Sequence, residues 1–385
     1  MKKMRILFEA GPLVDSRKTG VGYYLNHMVS SLGTHHGPDL SLEGYYFDFL
    51  NRKRKRAPEF AGVRFRKIWF TPGKLLSLCR RLGFQPYLDC FTSTKADLVF
   101  YTNYVALPTL RRRQVMALAV YDLSFLDCPQ FTQSVNLRFM QRFCSPSIRR
   151  ADIIVTISAF TKERLLHHFP DLTADVIVTP IPPIATPDTR RPQLGARLEE
   201  LGIATGKYVL YLGTIEPRKN IQALVKAYAL LPAEVRQAYA LVLAGGKGWK
   251  DEAILAEIRD KQAVGMNIIQ TGYIAEEEKA ALYSHAACFV LPSHYEGFGM
   301  PVLEAMQCGL PITLSDIPVF REVAGEAAVY FDKDSESDIA AKLERLLTDK
   351  AQRLLVTGHA PSQLQKFSWA DNAELLYDAF RKRQP

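Results

Sequence analysis

The chain has 385 residues, of which 48% are apolar and 23% are charged, and its formal net charge is +9. This length exceeds what one ordinary hydrophobic core covers, so two domains are expected. Because no run of about 18 uninterrupted apolar residues occurs, we expect no membrane-spanning helix. The N-terminal stretch MKKMRILFEAG is interrupted by Glu9 and predicts a first strand rather than a signal peptide. A cytoplasmic protein is therefore expected.

Ten short apolar segments alternate with segments of helical character. They are 5–11, 97–103, 115–122, 152–158 and 175–180 in the first half, and 208–214, 239–246, 267–273, 288–293 and 310–316 in the second. Near-continuous apolar strands that alternate with helices predict parallel sheets covered on both faces. The stretch 180–193 is rich in proline, which precludes a helix or a central strand, and it predicts a linker.

The predicted architecture is two doubly wound α/β domains with a crevice between them, where ligands bind beyond the C-terminal ends of the strands. The predicted bounds are 1–182 for the first domain, 183–360 for the second, and 361–385 for a C-terminal segment. This last segment contains the amphipathic sequence SWADNAELLYDAFRKR, a helix expected to pack back across the domains.

The net charge is concentrated in residues 51–90, which hold eleven Lys or Arg against two acids, an excess equal to that of the whole chain. Aromatic residues, and leucines near helical spacing, are interleaved with these charges. Such a segment is typical of a surface that contacts anionic lipid or a lipid-linked phosphate. A solvated basic loop is the equal alternative. Nucleic acid is not expected as a partner, because no recognised binding motif accompanies the charge.

The stretch 296–311, EGFGMPVLEAMQCGLP, places two glutamates around a glycine turn at the start of a predicted helix. Gly297 and Gly299 allow close approach of the backbone to a ligand, and the free N–H groups of the helix start favour a diphosphate. Glu304, one turn into the helix, is placed to accept from a ribose, and Glu296 lies on the other side of the turn. Taken alone, the motif is also consistent with a helix-cap and a surface glutamate.

Two further turns follow predicted strands. GTIEPRKN (213–220) ends in Arg218 and Lys219, which can complement a diphosphate with charge-assisted hydrogen bonds. TGVGYYLNHM (19–28) is a second glycine turn that opens a helix, although a lone G-x-G is weak support. The D-x-D sequence Asp332-Lys333-Asp334 is expected to cap a peripheral helix rather than to bind a metal ion.

Together these motifs resemble glycosyltransferase family 4, the retaining sugar transferases with the two-domain GT-B fold. The resemblance covers nearly the whole chain. It is carried by Glu296 and Glu304 around GFGMPVL, by GTIEPRKN, and by TISAFTKERL (156–165), LPSHYEGFG (291–299) and FREVAGEAAVYFD (320–332). The resemblance implies two Rossmann-like domains facing a central cleft, the first binding the acceptor and the second binding a nucleotide sugar.

The resemblance also implies a role for each motif residue. Glu304 would bind the nucleotide ribose, Glu296 the hydroxyls of the donor sugar, and Arg218 with Lys219 the diphosphate. Backbone contacts to the donor are implied for Gly297, Phe298 and Gly299 at the phosphate and sugar, for Gly245, Gly246, Tyr273 and Ile274 at the base, and for Gly20 and Gly22 over the phosphate from the N-terminal side.

One position departs from the family pattern. Where many members have His-Asp-Leu, this chain has Tyr121, Asp122 and Leu123. A phenol has an unperturbed pKa of about 10 and stays neutral near pH 7, but it can donate a hydrogen bond. We expect the Tyr121 hydroxyl to face the donor sugar. Asp122 contacts the sugar or an acceptor hydroxyl, or caps the following turn.

The function implied by the resemblance is that of a retaining hexosyltransferase with a nucleotide-sugar donor. GTIEPRKN and FREVAG look most like mannosyl- and rhamnosyl-transferring members, so GDP-mannose is the first expectation for the donor. The acceptor would be a hydroxyl of a cell-surface glycan, such as a lipopolysaccharide, or of a lipid-linked glycan. No cofactor or metal ion is expected, since Arg218, Lys219 and the helix N-terminus can neutralise the leaving diphosphate.

Alternatives of the same fold are a nucleotide-sugar epimerase and a phosphorylase, although no lysine context favours the cofactor that a phosphorylase needs. A catalytically silent partner of another transferase is the alternative from a different class. The presence of Glu296, Glu304, Arg218 and Lys219 argues against it. A dinucleotide-dependent dehydrogenase is disfavoured because GPLVDSRKTGVG lacks a tight G-x-G-x-x-G turn. The basic segment predicts a peripheral position on the inner face of the cell membrane.

Overall fold

The computed structural model describes residues 3–15, 19–51, 53, 55–70, 79, 85–92, 95–110, 114–184 and 198–384. The chain divides into two compact units, which we call the first and the second unit. The first unit is Met1–Asp127, Ser134–Ile181 and Ser368–Pro385, and the second is Cys128–Gln133 and Pro182–Phe367. Each unit contains one sheet of parallel strands, which confirms the predicted pair of doubly wound α/β sheets.

The sheet of the first unit has seven strands in the order β3-β2-β1-β4-β5-β6-β7. They are β1 Met4–Glu9, β2 Leu40–Phe47, β3 Val63–Ile68, β4 Leu98–Tyr101, β5 Val115–Val120, β6 Ile153–Thr156 and β7 Asp175–Val178. The central strands β4 and β6 are buried along their whole length, as the apolar runs predict.

Helices flank this sheet. They are α1 Gly11–Val14, α2 Gly20–His36, α3 Ser124–Asp127, α4 Ser134–Arg150 and α5 Ala159–His168, with turns of 3-10 helix at Phe49–Asn51 and Leu88–Cys90. The last helix of the chain, α14 Trp369–Lys382, also belongs to the first unit. It packs on α2, where the His36 and Tyr377 rings stack with centroids 4.0 Å apart. Arg383 Nε, just beyond it, lies 2.7 Å from Asp175 Oδ2.

The sheet of the second unit has six strands in the order β10-β9-β8-β11-β12-β13. They are β8 Tyr208–Leu212, β9 Ala240–Ala244, β10 Ile268–Gly272, β11 Cys288–Leu291, β12 Ile312–Ser315 and β13 Ala328–Phe331. The helices are α6 Ile221–Leu230, α7 Ala233–Ala238, α8 Glu252–Ala263, α9 Glu276–His285, α10 Met300–Gln307, α11 Pro318–Ala324, α12 Glu336–Thr348 and α13 Lys350–Leu364. Turns of 3-10 helix occupy Pro129–Phe131, Pro217–Lys219 and Gly325–Ala327.

The order of strands in the second unit fixes where a ligand site can form. Strand order reverses at β8, which lies between β9 on one side and β11 on the other. The chain builds the sheet from β8 to β10 in one direction and then returns to the other side of β8 with β11. In open parallel sheets the crevice outside such a switch point is the usual ligand site. The loops that leave the C-terminal ends of β8 and β11 carry GTIEPRKN and HYEGFG, so the topology brings these two motifs to one edge.

All ten predicted strand segments contain a strand, but three strands were not predicted: β2, β3 and β13. The described part of the chain contains no helix with the length and apolar character that crossing a bilayer requires. Part of the basic segment lies outside the described residues, namely Arg52, Arg54, Lys74, Arg80 and Arg81, and so does the predicted linker from residue 185 onward.

Candidate functional site

Two loops at the C-terminal edge of the second sheet build the site. The loop after β8 passes through the 3-10 turn Pro217–Lys219 and enters α6 at Asn220, which is left-handed at φ 55°. The loop after β11 ends at Gly299, which precedes α10 with φ 103°. A Cβ atom at Gly299 would lie 2.9 Å from the Phe320 ring, so glycine is required there both for its φ and for space.

Glu296 is a buried carboxylate with three side-chain donors. Its Oε2 accepts from Arg218 Nη1 at 2.9 Å, and its Oε1 accepts from Ser293 Oγ at 2.8 Å and from Lys219 Nζ. Burial opposes ionisation, but the charges of Lys219 and Arg218 and the hydrogen bonds outweigh it and lower the pKa of Glu296 to about 2. The carboxylate is therefore ionised throughout the physiological range.

Arg218 bridges two buried carboxylates. Nη2 donates to Glu216 Oε1 at 2.7 Å, while Nη1 donates to Glu296 and, at 2.8 Å, to the carbonyl oxygen of Tyr295. Glu216 is 2% exposed. Burial raises the pKa of Glu216 above its ordinary 4.5 against the attraction of Arg218 and Lys219. Sequence reasoning missed Glu216, although an acid two positions before an arginine in the same turn was a readable signal.

The structure thus brings Arg218, Lys219 and Glu296 together, as the resemblance implies, and adds Glu216. Two carboxylates and two cations give this cluster a formal charge of zero. The cations that were predicted to hold a diphosphate are each paired with a buried acid. A diphosphate at this edge would therefore enter a balanced site and not an excess of positive charge.

Glu304 lies in a separate polar group, one turn inside α10. Its Oε2 accepts from the Tyr283 hydroxyl at 2.7 Å, and Oε1 lies 3.8 Å from Lys279 Nζ; both partners are on α9. Its side chain keeps 14% of its surface exposed. Glu296 and Glu304 therefore stand on either side of the N-terminal turn of α10, each oriented by its own donors. Gly297, Phe298 and Gly299 lie between them in sequence.

The loops after β9 and β10 adjoin the same edge. Gly245 has φ 150°, and a Cβ atom there would come within 2.0 Å of the Gly213 carbonyl oxygen, so only glycine fits. Its N–H donates to Gly272 O at 2.9 Å, and Gly246 O accepts from Ile215 N at 3.0 Å.

These contacts join the loop after β9 to the loop after β8 and to the last residue of β10. The two residues beyond β10 that were predicted to meet the base differ in exposure, because Tyr273 is 67% exposed and Ile274 is buried.

In the first unit, Asp122 makes the local contacts of a cap. Its Oδ1 accepts from the backbone N–H of Ser124 at 3.1 Å and from the Ser124 hydroxyl at 2.9 Å, at the start of α3.

Gly20 and Gly22 both lie in the first turn of α2, after the N-cap residue Thr19. The two glycines therefore lie at the start of a helix, as the sequence predicts.

Tyr121 is buried, and its hydroxyl donates to the carbonyl oxygen of Thr102 at 2.7 Å. Its ring lies edge-on to those of Tyr24 and Tyr104. Burial raises the pKa of Tyr121 well above 10, so the phenol stays neutral. The hydroxyl that was expected to face a sugar thus has a partner inside the first unit.

The Asp332-Lys333-Asp334 sequence forms a turn before α12. Asp332 Oδ1 accepts from the backbone N–H of Asp334 at 3.0 Å. The cap of α12 is Ser335, whose hydroxyl accepts from Asp338 N at 3.2 Å, so the predicted cap is shifted to the next residue. Among the residues with described positions, no group of three or more His, Cys, Asp or Glu is arranged to hold a metal ion.

Comparison with known proteins gives relatives over the whole chain. Residues 198–358 match the family model described as glycosyl transferases group 1. The chain is 33% identical to the O-antigen chain mannosyltransferase B of Escherichia coli over 394 residues, which cover 98% of this chain and 100% of that protein. The serotype-specific mannosyltransferase WbdA of Escherichia coli is 40% identical over 179 residues, which cover 46% of this chain and 22% of that longer protein.

Among solved structures, sucrose-phosphate synthase from Thermosynechococcus elongatus aligns with a TM-score of 0.71 and 18% identity, covering 99% of both chains. At this identity the likeness shows the fold. Together with the two parallel sheets, it confirms the GT-B architecture implied by the resemblance.

Proposed function

The chain belongs to the group 1 glycosyltransferases, and from this premise we propose that it transfers mannose from GDP-mannose to a hydroxyl of a cell-surface polysaccharide. Membership confirms the predictions of a glycosyltransferase and of a hexosyltransferase of this group. The choice of mannose is supported by the relative of full length, which is named an O-antigen chain mannosyltransferase. An O-antigen chain, whether free or lipid-linked during growth, is the acceptor class that this relative favours.

We place the donor at the C-terminal edge of β8 and β11. The observation that carries the proposal is the convergence of Arg218 and Lys219 on Glu296 beside the N-terminus of α10. In this proposal the backbone of Gly297, Phe298 and Gly299 and the helix start bind the diphosphate, because free N–H groups there favour anions. The nucleotide base is proposed to bind to the loops that contain Gly245, Gly246, Tyr273 and Ile274.

Glu296 and Glu304 are proposed to contact different parts of the donor. Glu304, held by Tyr283 and Lys279, accepts hydrogen bonds from the ribose hydroxyls. Glu296 accepts from hydroxyls of the transferred sugar. Since the pKa of Glu296 is lowered to about 2, this carboxylate has no proton to give at neutral pH and acts as an acceptor and a negative charge. A negative charge near the reacting sugar stabilises an oxocarbenium-like transition state.

The proposed reaction retains the configuration of the sugar. The acceptor attacks from the face on which the diphosphate leaves, and a phosphate oxygen takes the acceptor proton. Arg218 and Lys219 stabilise the charge that develops on the leaving diphosphate. We propose that no metal ion is needed, a point that activity in the presence of EDTA would test directly.

The first unit is proposed to bind the acceptor. Its candidate contact is Asp122, whereas Gly20 and Gly22 in the N-terminal turn of α2 keep their proposed role at the donor phosphate. Because the Tyr121 hydroxyl is bonded to Thr102 O, we assign this side chain to positioning the loop that carries Asp122.

We further propose that the protein is cytoplasmic and binds anionic lipid on the inner face of the membrane. The described part of the basic segment supports this position, because Lys53 and Arg56 are exposed close in sequence to an exposed apolar group. Leu50, Trp69 and Phe70 are 53%, 59% and 49% exposed, and Leu50 N donates to Trp69 O at 2.8 Å. Exposed aromatic residues beside lysines and arginines suit a bilayer interface.

A thermal-shift panel of GDP, UDP, ADP and dTDP tests the donor. A ligand at 100 times its dissociation constant stabilises the folded state by about 2.7 kcal/mol, so the bound base will stand out. We expect GDP to give the largest shift. A larger shift with another nucleotide would contradict GDP-mannose and leave the glycosyltransferase assignment in place.

A further inference from the structure

We propose that Glu216 takes up a proton from solvent when the diphosphate of a nucleotide sugar binds beside Arg218 and Lys219. The inference rests on the proposed donor site and adds a residue to it. It concerns a buried carboxylate that the sequence motifs did not single out, and it makes donor binding dependent on pH.

The charge balance of the cluster is the first reason. Arg218 and Lys219 neutralise Glu216 and Glu296 in the structure. A nucleotide sugar carries one negative charge on each of its two phosphates, and neither phosphate titrates near pH 7. Binding would therefore leave buried negative charge without a counter-charge, which is costly in a desolvated site. Protonation of one carboxylate halves that excess.

Geometry decides which carboxylate takes the proton. Glu296 accepts from three side chains, Arg218, Lys219 and Ser293. Glu216 is less exposed, and among the described residues one side chain, Arg218, donates to it. Burial already raises the pKa of Glu216, whereas the pKa of Glu296 is lowered to about 2. An approaching phosphate draws Arg218 away from Glu216 and adds a like charge, and both effects favour the protonated acid.

Among the described residues, the charged and titratable groups that act on Glu216 come from three elements. They are Arg218 and Lys219 on its own turn, Glu296 from the loop after β11, and Tyr211 on β8. Tyr211 is neutral, because burial raises its pKa well above 10. Protonation of Glu216 leaves Arg218 and Lys219 with one positive charge that Glu296 does not balance, and this charge is available to the phosphates.

Calorimetry of GDP-mannose binding without acceptor tests the proposal. The binding heat is measured at pH 7 in buffers of different ionisation enthalpy, and its slope against that enthalpy gives the protons exchanged. We expect net uptake in the wild type and a slope near zero in Glu216→Gln. The control is Glu257→Gln on α8, whose carboxylate pairs with Lys261. Its slope should equal that of the wild type.

The pH profile of the wild type provides a test that needs no variant. Affinity for GDP-mannose should fall as pH rises from 6 to 8.5, by at most about tenfold per pH unit for one linked proton. Uptake that persists in a folded Glu216→Gln variant, or a flat wild-type profile, would overturn the inference. Binding without proton uptake contradicts this inference alone, whereas absence of binding by any nucleotide sugar contradicts it together with the proposed donor site.

Discussion

Arg218 Nη1 lies 2.9 Å from Oε2 of Glu296, and this ion pair joins loops whose residues are 78 positions apart in the chain. The contact fixes the guanidinium and the carboxylate relative to the N-terminus of α10. It also links the two motifs in one network, in which Arg218 donates to Glu216 as well and Glu296 accepts from Lys219 and Ser293 as well.

The ribose assignment of Glu304 predicts a loss of nucleotide affinity in Glu304→Ala. Hydrogen bonds to a charged group contribute roughly 1.5–3 kcal/mol, which corresponds to about a 10- to 150-fold rise in the dissociation constant of GDP. Tyr283→Phe removes the donor that orients this carboxylate and should give a smaller rise. Calorimetry with GDP measures both variants. Unchanged GDP affinity in Glu304→Ala would remove Glu304 from the donor site.

The lowered pKa of Glu296 predicts a specific response to acid. Its pKa is about 2 in the folded state against an ordinary 4.5, so its stabilising contribution is complete above pH 4.5 and is lost as pH falls through 2. The shift corresponds to about 3 kcal/mol. In urea unfolding, the stability difference between wild type and Glu296→Gln should shrink over this window. A difference that stays constant would mean that Glu296 is not held ionised by Arg218 and Lys219.

As a control for the acid series, Glu257→Gln removes a carboxylate whose pair with Lys261 lies on one helix. Such pairs contribute only a few tenths of a kcal/mol. Its stability difference from the wild type should therefore be small at every pH of the series.

Tyr121→Phe should destabilise the first unit. The substitution leaves the Thr102 carbonyl oxygen without its phenol donor in a buried place, at a cost of about 1–3 kcal/mol. Urea unfolding measures the loss. GDP affinity should stay at the wild-type value, because the hydroxyl is bonded inside the first unit. Wild-type stability combined with a large loss of transfer would instead restore the hydroxyl to a sugar contact.

The lipid proposal predicts salt-sensitive binding to anionic vesicles and none to neutral vesicles. Each Lys or Arg near such a surface contributes about 1 kcal/mol. A variant combining Lys53→Gln, Arg56→Gln, Trp69→Ala and Phe70→Ala should co-sediment less than the wild type. Leu354→Ala with Leu355→Ala removes comparably exposed apolar surface from α13 and should not change binding. Equal co-sedimentation of all three proteins would leave the segment as a solvated loop.

The strands that sequence reasoning found are those whose burial makes them nearly all apolar, such as β8 and β11. β3 was missed because it is the edge strand of the first sheet and reads VRFRKI, with alternate basic side chains exposed. β2 contains Glu43, which pairs with Arg66 of that edge strand. The charged residue in β2 is therefore explained by its contact with a neighbouring strand, which the sequence of one segment does not show.

The candidate site likewise contains residues that the sequence identifies and residues whose roles only the fold shows. Glu296, Glu304, Arg218 and Lys219 could be identified from motif and spacing, since each lies next to a glycine turn or a helix start. Glu216 was missed although it lies two positions before Arg218, because the sequence does not show that its carboxylate is buried or that the same arginine also binds Glu296. The partner of the Tyr121 hydroxyl, Thr102, likewise comes from the end of a neighbouring strand.

Transfer of mannose by wild type and Arg218→Lys is the most direct test of the proposed function. Lysine cannot bridge Glu216 and Glu296 as the guanidinium fork does. Turnover should fall by roughly 100-fold, in line with the loss of one stabilising donor at a developing charge. Arg383→Lys, which alters an ion pair with Asp175 in the first unit, should transfer at the wild-type rate. The assay follows GDP release and product formation from GDP-mannose with a lipid-linked O-antigen acceptor. We predict a mannosylated product of retained configuration from the wild type; no product, or equal rates in wild type and Arg218→Lys, would contradict the account.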